Sequence, residues 1–231
     1  MKKILHTSLI AVLPMGYAWA DTVSNFTNDK NGLCAPFAVS QSILYAGSFT
    51  TGSFADGYKL DDVFWSVVSV NVFDAVGIQA GATFQVQLWG ADGLGNPKTP
   101  PLETLSGPSK PKVSGGTLAP GIMDYKSAGS FLKPNTTYWV SATVIGGNDL
   151  RVRLERTNLS DEKSNPAGWT IGNTSYILDT SDVSIPDPVI TKDSSCLPYL
   201  TIVATPVPEP STVALLGLTG AGLLLLARRR K

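Results

Sequence analysis

Few side chains in this chain are suited to catalysis. Its one histidine, His6, lies in an N-terminal segment that we expect to be removed. Without imidazole, the remaining chain cannot form Ser-His-Asp or Cys-His arrangements, or zinc sites built on histidine. A carboxylate pair of the glycoside hydrolase kind remains available, but no local spacing of Asp and Glu singles one out. The sequence therefore predicts a non-enzymatic protein without a cofactor, and a carboxylate-dependent glycan hydrolase is the least favoured alternative.

Tryptophans provide chemistry suited to binding, because exposed aromatic faces stack on sugar rings. Trp89 falls on the polar phase of its segment, and Trp169 follows the loop-like residues 165–168. We take both as candidate glycan contacts, with burial in the core or at a strand end as the alternative for each. The segments around Trp65 and Trp139 predict core positions for these two.

Several carboxylates and amides have the oxygen chemistry of calcium ligands. None of them has the spacing of a calcium loop, and turn formation already explains Asp92-Gly93 and Asn96-Pro97. We therefore predict no metal site, although calcium remains open at Asp61, Asp62, Asp92, Asn96, Asp179 and Asp182.

Four triplets match the N-glycosylation sequon. They begin at Asn25, Asn135, Asn158 and Asn173. We interpret them as ordinary strand and turn composition.

The chain has two cysteines, Cys34 and Cys196. Exported proteins enter an oxidising compartment, so these two are expected to form a disulfide, with two free buried thiols as the alternative. The chain-entropy estimate for a loop this long is about 5 kcal/mol, which measured disulfides often do not reach. Two soft ligands alone do not favour a metal site.

The elements that must position these residues are β-strands. Residues 83–89 alternate apolar Phe84, Val86 and Leu88 with polar neighbours, which is typical of a half-buried strand. Other strands are predicted at residues 42–49, 59–71, 137–144, 150–154, 176–178 and 199–203, separated by turns rich in Gly, Asn and Pro. No helical periodicity persists over three turns between the two ends of the chain. Residues 21–205 are therefore predicted to be one all-β domain, a β-sandwich of jelly-roll type.

Short motifs within this region resemble the bacterial choice-of-anchor domains, type R in particular. They are Tyr45-Ala46-Gly47-Ser48-Phe49-Thr50-Thr51-Gly52, Tyr58-Lys59-Leu60-Asp61-Asp62-Val63, Phe84-Gln85-Val86-Gln87-Leu88-Trp89 and Leu132-Lys133-Pro134-Asn135-Thr136-Thr137-Tyr138-Trp139. The resemblance spans residues 45–144 and departs at residues 100–117, a proline-rich stretch that reads as an insertion. It implies a surface β-sandwich and no particular ligand.

The N-terminus has the three parts of a secretory signal peptide. Lys2 and Lys3 precede an apolar stretch over residues 4–15, and Ala18-Trp19-Ala20 supplies the small residues of a cleavage site. The apolar stretch is too short and too interrupted to span a bilayer. We expect signal peptidase to remove residues 1–20, so that the mature chain begins at Asp21.

The C-terminus, residues 206–231, also has three parts. Pro208-Glu209-Pro210 precedes the apolar residues 211–227, and Arg228, Arg229, Arg230 and Lys231 follow. As a helix, residues 211–227 would extend about 25 Å, enough to cross a thin hydrocarbon core. The prolines cannot lie inside that helix, and the terminal cations are expected to stay in the cytoplasm.

This tail resembles the PEP-CTERM sorting signal of Gram-negative bacteria that make extracellular polysaccharide. The resemblance implies that the membrane enzyme exosortase reads Pro208, Glu209 and Pro210 and removes the tail. The protein would then be anchored transiently in the inner membrane before it reaches the cell surface or extracellular matrix. A permanent C-terminal anchor is the alternative.

Charge limits the partners of the region between the two signals. Residues 21–205 contain 12 basic and 17 acidic side chains, a net charge of about −5. An acidic surface does not attract nucleic acid. The sequence therefore predicts an exported, non-catalytic surface or matrix protein associated with exopolysaccharide, and a carbohydrate-binding module is the main alternative.

Overall fold

The structure is a computed structural model that describes residues 19–26, 33–40, 43–70, 83–109, 121–146, 152–157, 168–179, 189–193 and 195–207. Ala20–Val207 forms one compact unit. The described residues form fourteen strands: β1 (Asp21–Ser24), β2 (Leu33–Val39), β3 (Ile43–Thr50), β4 (Tyr58–Val70), β5 (Thr83–Ala91), β6 (Pro97–Thr104), β7 (Gly121–Lys126), β8 (Phe131–Leu132), β9 (Thr137–Ile145), β10 (Val152–Thr157), β11 (Thr170–Asp179), β12 (Val189–Asp193), β13 (Leu197–Pro198) and β14 (Leu200–Pro206).

The first sheet, sheet A, is built around the long strand β4. One edge of β4 pairs with β14 from Tyr58 to Trp65 and then with β10 near Val70. The opposite edge of β4 pairs with β7 and β8. β1 pairs with the far side of β14, while β2 and β13 pair with β10. All of these pairings are antiparallel.

The second sheet, sheet B, has the order β12-β11-β3-β9-β5-β6 and is also antiparallel. The all-β prediction is thus confirmed for the part of the chain that the structure describes. Within that part, no helix is long and apolar enough to cross a membrane. The predicted helix at residues 211–227 lies outside the described residues.

The inner faces of the two sheets share one cluster of buried apolar side chains. Leu60, Trp65 and Ile202 reach it from sheet A, and Phe49 and Val86 reach it from sheet B. In β5, buried residues alternate with partly exposed ones as predicted, because successive side chains of a strand point to opposite faces. Trp65 is fully buried, as its segment predicts.

The first part of the proline-rich stretch at residues 100–117 forms a strand that the sequence pattern does not predict. Pro100 and Pro101 lie within β6, and the Thr99–Pro100 peptide bond is cis. β6 is an edge strand of sheet B. On the open side of an edge strand there is no neighbouring strand, so a proline there removes no hydrogen bond of the sheet. Residues 110–117 lie outside the described part.

Cys34 and Cys196 form a disulfide, with their Cα atoms 6.1 Å apart. Cys34 belongs to β2, and Cys196 immediately precedes β13. Since β2 and β13 both pair with β10 at Arg156, the disulfide joins the two strands that flank β10 at this residue.

Candidate functional site

A second apolar cluster lies on the outer face of sheet B. Trp139, Tyr176 and Ala46 are buried there, and Leu44, Trp89 and Ala91 pack against them half-buried. Trp139 is only 3% exposed, so the prediction that it is buried is confirmed. It lies apart from the main core, however, because its neighbours Tyr138 and Val140 are the residues of β9 that point between the sheets.

The turn between β5 and β6 covers part of this cluster. Asp92 shapes the turn, since its Oδ1 accepts hydrogen bonds from the amides of Leu94 and Asn96, each at 2.8 Å. The indole of Trp139 donates to the carbonyl of Gly95 at 3.1 Å, which fastens the turn to the sheet. Burial, with the nearby negative charge of Asp92 as a further cause, raises the pKa of Tyr176 above its usual value.

Trp89 lies on the outer face of sheet B, on the polar phase of β5 as predicted. Its ring is half-buried against the second cluster, and its indole donates to Ser141 Oγ at 2.8 Å. This bond fixes the edge of the ring, while the remainder keeps contact with solvent. Its role as a glycan contact stays a prediction.

Trp169 lies between the sheets, contrary to its loop-like sequence context. It is 1% exposed, stacks against Phe49 and meets the ring of Tyr58 edge-on. Its indole donates to Asp21 Oδ2 at 3.0 Å. No ring face is left open to a sugar, so the structure gives no support to Trp169 as a glycan contact and places it in the core.

A groove with a volume of about 690 Å³ opens on the outer face of sheet B, beside the second cluster. Its floor is formed by Ser48 and Thr50 of β3 and by Thr137 and Trp139 of β9. One wall is the β5–β6 turn at Leu94, and the other is the N-terminal part of β11. Volumes of this size are common among ligand sites.

The β11 wall of the groove is formed by a bulge, where extra residues of β11 interrupt its pairing with β3. Ile171 pairs with Phe49 and Ser175 with Gly47, so the intervening residues of β11 fall outside the regular ladder. Gly172 permits the bulge to lie close to the sheet, because a Cβ at this position would collide with Ser48 Oγ. Sequence analysis missed this groove, since the pattern of β11 shows neither the bulge nor its partner strand.

Asp92 and Asn96 share a turn, but the described candidate calcium ligands do not form one site. Among the described residues, no group of three or more His, Cys, Asp or Glu side chains has metal-binding geometry. Asp92 is committed to its turn, and Asp61 Oδ2 accepts a hydrogen bond from Thr205 at 2.6 Å. Asp62 forms an ion pair with Lys126. The Asp179 side chain and all of Asp182 lie outside the described residues.

Two carboxylates do converge, at Lys126 on the solvent side of sheet A. Lys126 Nζ lies 2.5 Å from Asp62 and 2.9 Å from Asp124. A glycosidase pair instead flanks the scissile bond, with one carboxyl protonated to act as the acid. Here both side chains instead contact the same ammonium group, so this arrangement is an ion-pair cluster.

The sequons differ in accessibility. The side chain of Asn25 is fully buried, donating to the carbonyl of Pro198 and accepting from the amide of Leu200, each at 2.8 Å. Asn135 and Asn173 are exposed, the former in a turn with φ of 48°. Asn158 lies outside the described residues.

The last described contact with the sheets is made just before the tail. β14 ends at Pro206, and the amide of Val207 donates to the carbonyl of Gly57 at 3.0 Å. The sorting residues Pro208, Glu209, Pro210, Arg228, Arg229 and Arg230 lie outside the described part.

Comparison with known families identifies the tail. Residues 206–231 match the PEP-CTERM protein-sorting motif, which confirms the resemblance found in the sequence. This motif implies an exported protein with a C-terminal membrane-anchored stage and processing by exosortase. No curated protein and no solved structure matches the chain. The likeness of residues 45–144 to choice-of-anchor domains therefore has no support from these comparisons.

Proposed function

We propose that this chain is a non-catalytic protein of the cell surface or extracellular matrix, released from the membrane by exosortase and associated with exopolysaccharide. The observation that carries the proposal is the match of residues 206–231 to the sorting motif. The acidic balance of residues 21–205 supports it further, because such a domain is not drawn to nucleic acid or to anionic lipid.

The limits of the fold agree with processing at both ends. β1 begins at Asp21, the first residue after the expected signal peptidase site. At the other end, Val207 makes the last described backbone bond, and Pro208 follows it. Removal of residues 1–20 and of the tail beyond Pro208 would therefore break none of the described strand pairings.

The intact mass of the protein isolated from its native host tests this proposal. We expect a chain that begins at Asp21 and ends within residues 208–210. In a host strain lacking exosortase, or in a Glu209→Ala variant, the mass should include the tail as far as Lys231. A wild-type chain that retains Arg228 to Lys231 would instead establish a permanent anchor and overturn the sorting step.

Carbohydrate binding at Trp89 is the second candidate, supported by the half-buried position of this ring on the outer face. Retention on immobilised exopolysaccharide from the host measures it. Trp89→Ala should weaken retention, whereas Gln85→Ala, on the same strand and face, should not. Equal retention of both variants and wild type would exclude this ring as the contact.

Hydrolysis of glycans is the outcome that would contradict a non-catalytic role. The assay is release of reducing ends from the host polysaccharide by the purified exported protein. Turnover that a single Asp→Asn or Glu→Gln change abolishes would establish an enzyme, and Asp124→Asn at the Lys126 cluster is the first variant to make.

We also propose that the two sheets form a jelly roll. In this fold the eight main strands, numbered along the chain, lie in the order 1-8-3-6 in one sheet and 2-7-4-5 in the other. β1-β14-β4-β7 and β3-β9-β5-β6 have this order once the remaining strands are treated as additions. Contacts between β1 and β14 and between β3 and β9 in NMR spectra would support it, and their absence would refute it.

A further inference from the structure

The groove on the outer face of sheet B has the lining of a sugar site. Its described lining residues include hydroxyl, amide and apolar side chains, and none of them is Lys, Arg, Asp or Glu. We infer that this groove, between the β5–β6 turn and the β11 bulge, binds uncharged sugar units of a polysaccharide. The inference rests on the proposed function, since export brings the domain to the polysaccharide, and it names a site distinct from the ring of Trp89.

Hydroxyl groups on the floor supply hydrogen bonds without fixed charge. Thr50 Oγ1 and Thr137 Oγ1 lie 3.0 Å apart and hydrogen-bond to each other across β3 and β9. A pair of hydroxyls has two hydrogens and uses one in that bond, so a hydrogen and several lone pairs remain. Sugar hydroxyls both donate and accept, and this floor matches them in both roles.

The β11 wall adds exposed polar side chains next to the floor of the groove. Thr170 and Asn173 are both exposed and line the groove. Thr170 pairs with Thr50, so its side chain stands beside the hydroxyl pair of the floor. Asn173 belongs to the bulge, and its Oδ1 accepts a hydrogen bond from Thr174 Oγ1 at 3.2 Å. A sugar unit in the groove therefore meets donors and acceptors on two sides.

The opposite wall provides apolar contact for the C–H face of a sugar ring. Leu94 is 84% exposed at the tip of the β5–β6 turn and lines the groove. The turn is fastened by the bond from Trp139 to Gly95, so Leu94 is carried on a fixed support. An exposed leucine opposite a polar wall gives the groove the mixture of apolar and polar contacts that is typical of ligand pockets.

The net charge of the domain indicates which class of sugar the groove favours. Residues 21–205 carry a net charge of about −5, and the described lining of the groove contains no cation to offset it. Uronic or sulfated sugars would be repelled by this field and would find no ion-pair partner. Neutral hexose units carry no such penalty, so the groove favours the uncharged part of a polysaccharide.

The test uses the exported protein purified from its host and the exopolysaccharide of that host, separated by anion exchange into neutral and anionic fractions. Affinity electrophoresis in gels containing each fraction gives the dissociation constants. We expect retardation by the neutral fraction. Thr170→Leu should weaken binding about tenfold and Asn173→Ala about fivefold, as the loss of one or two hydrogen bonds predicts.

Thr104→Leu is the matched control, because Thr104 is also an exposed strand threonine of sheet B but lies on β6, away from the groove. It should bind as wild type does. Binding of the anionic fraction alone, no binding to either fraction, or full binding by Thr170→Leu would each overturn the inference. The intact mass of the same preparation tests the sorting step separately, so a failure of the groove is distinguishable from a failure of the proposed function.

Discussion

The amide of Val207 donates a hydrogen bond to the carbonyl of Gly57 at 3.0 Å, and the next residue, Pro208, opens the Pro-Glu-Pro motif. The fold therefore holds the chain until the residue before the sorting signal. β14, which ends at Pro206, is an interior strand of sheet A with β1 on one side and β4 on the other. The strand that leads to the tail is thus part of the folded core.

A first prediction concerns truncation at this boundary. A chain from Asp21 to Val207 should unfold at the same urea concentration as the processed protein from the host. A chain ending at Tyr199 should not fold, because it lacks β14, whose Leu200, Ile202 and Ala204 are fully buried. Circular dichroism during urea titration measures both. A cooperative transition in the shorter chain would contradict the central role of β14.

A second prediction concerns Trp169. Trp169→Ala should lower the free energy of unfolding by about 3–5 kcal/mol, since it removes a large side chain buried between the sheets. Trp169→Phe keeps most of the apolar volume but loses the bond to Asp21 and should cost about 1–2 kcal/mol. Urea unfolding of the exported protein gives these values.

Trp89→Phe is the control for that series, because Trp89 is half-buried on the outer face. Its effect should be smaller than that of Trp169→Ala by at least about 1 kcal/mol. Equal losses at the two positions would mean that Trp169 is not the core residue that the structure shows.

The sequence predicted those parts of the fold in which the alternation of apolar and polar residues along a strand agrees with the face on which each residue lies. The alternation in β5 was sufficient to assign its inner and outer faces, and Trp89 lies on the outer face as its phase indicates. Residues 100–104 were not recognised as a strand, because two prolines there oppose strand formation except at an edge, and sequence does not show which strand is the edge.

The sequence pattern within single segments did not predict the sites that are formed by residues far apart in the chain. Trp139 is buried on an outward-facing position because the β5–β6 turn folds over it and Gly95 accepts its indole hydrogen. The groove joins Thr137 to Thr170 only through β3, which lies between their strands. The disulfide was predictable, since two cysteines in an exported chain leave a single intramolecular pairing.

A third prediction concerns that disulfide. Replacing Cys34 and Cys196 with alanine should lower the free energy of unfolding by about 2–5 kcal/mol, because the unfolded chain gains the freedom of a loop of 162 residues. Dithiothreitol should destabilise the wild type by a similar amount and leave the double variant unchanged. The urea midpoint measures the effect, and thiol titration shows that reduction has occurred. An unchanged midpoint in fully reduced protein would refute the prediction.

The last prediction concerns Glu103, which connects the two sheets at one side. Glu103 lies on β6 of sheet B, and its carboxylate accepts hydrogen bonds from the Ala128 amide and from the hydroxyls of Ser127 and Ser130, in the loop between β7 and β8 of sheet A. Burial alone would raise the pKa of Glu103. The hydrogen bonds outweigh it and hold the pKa below the usual value for glutamate.

A pKa that is lower in the folded than in the unfolded state gives stability that is fully present above the unfolded value, about pH 4.3, and is lost as the pH falls through the folded value. Glu103→Gln should therefore lower the free energy of unfolding by about 1 kcal/mol at pH 7, a modest loss because the carboxylate is partly open to solvent. The difference from wild type should shrink as the pH falls below about 4. Urea unfolding at pH 7, 5 and 3 measures it, with Thr104→Ala on the same strand as control. A difference that stays constant down to pH 3 would show that the charge of Glu103 does not stabilise the loop.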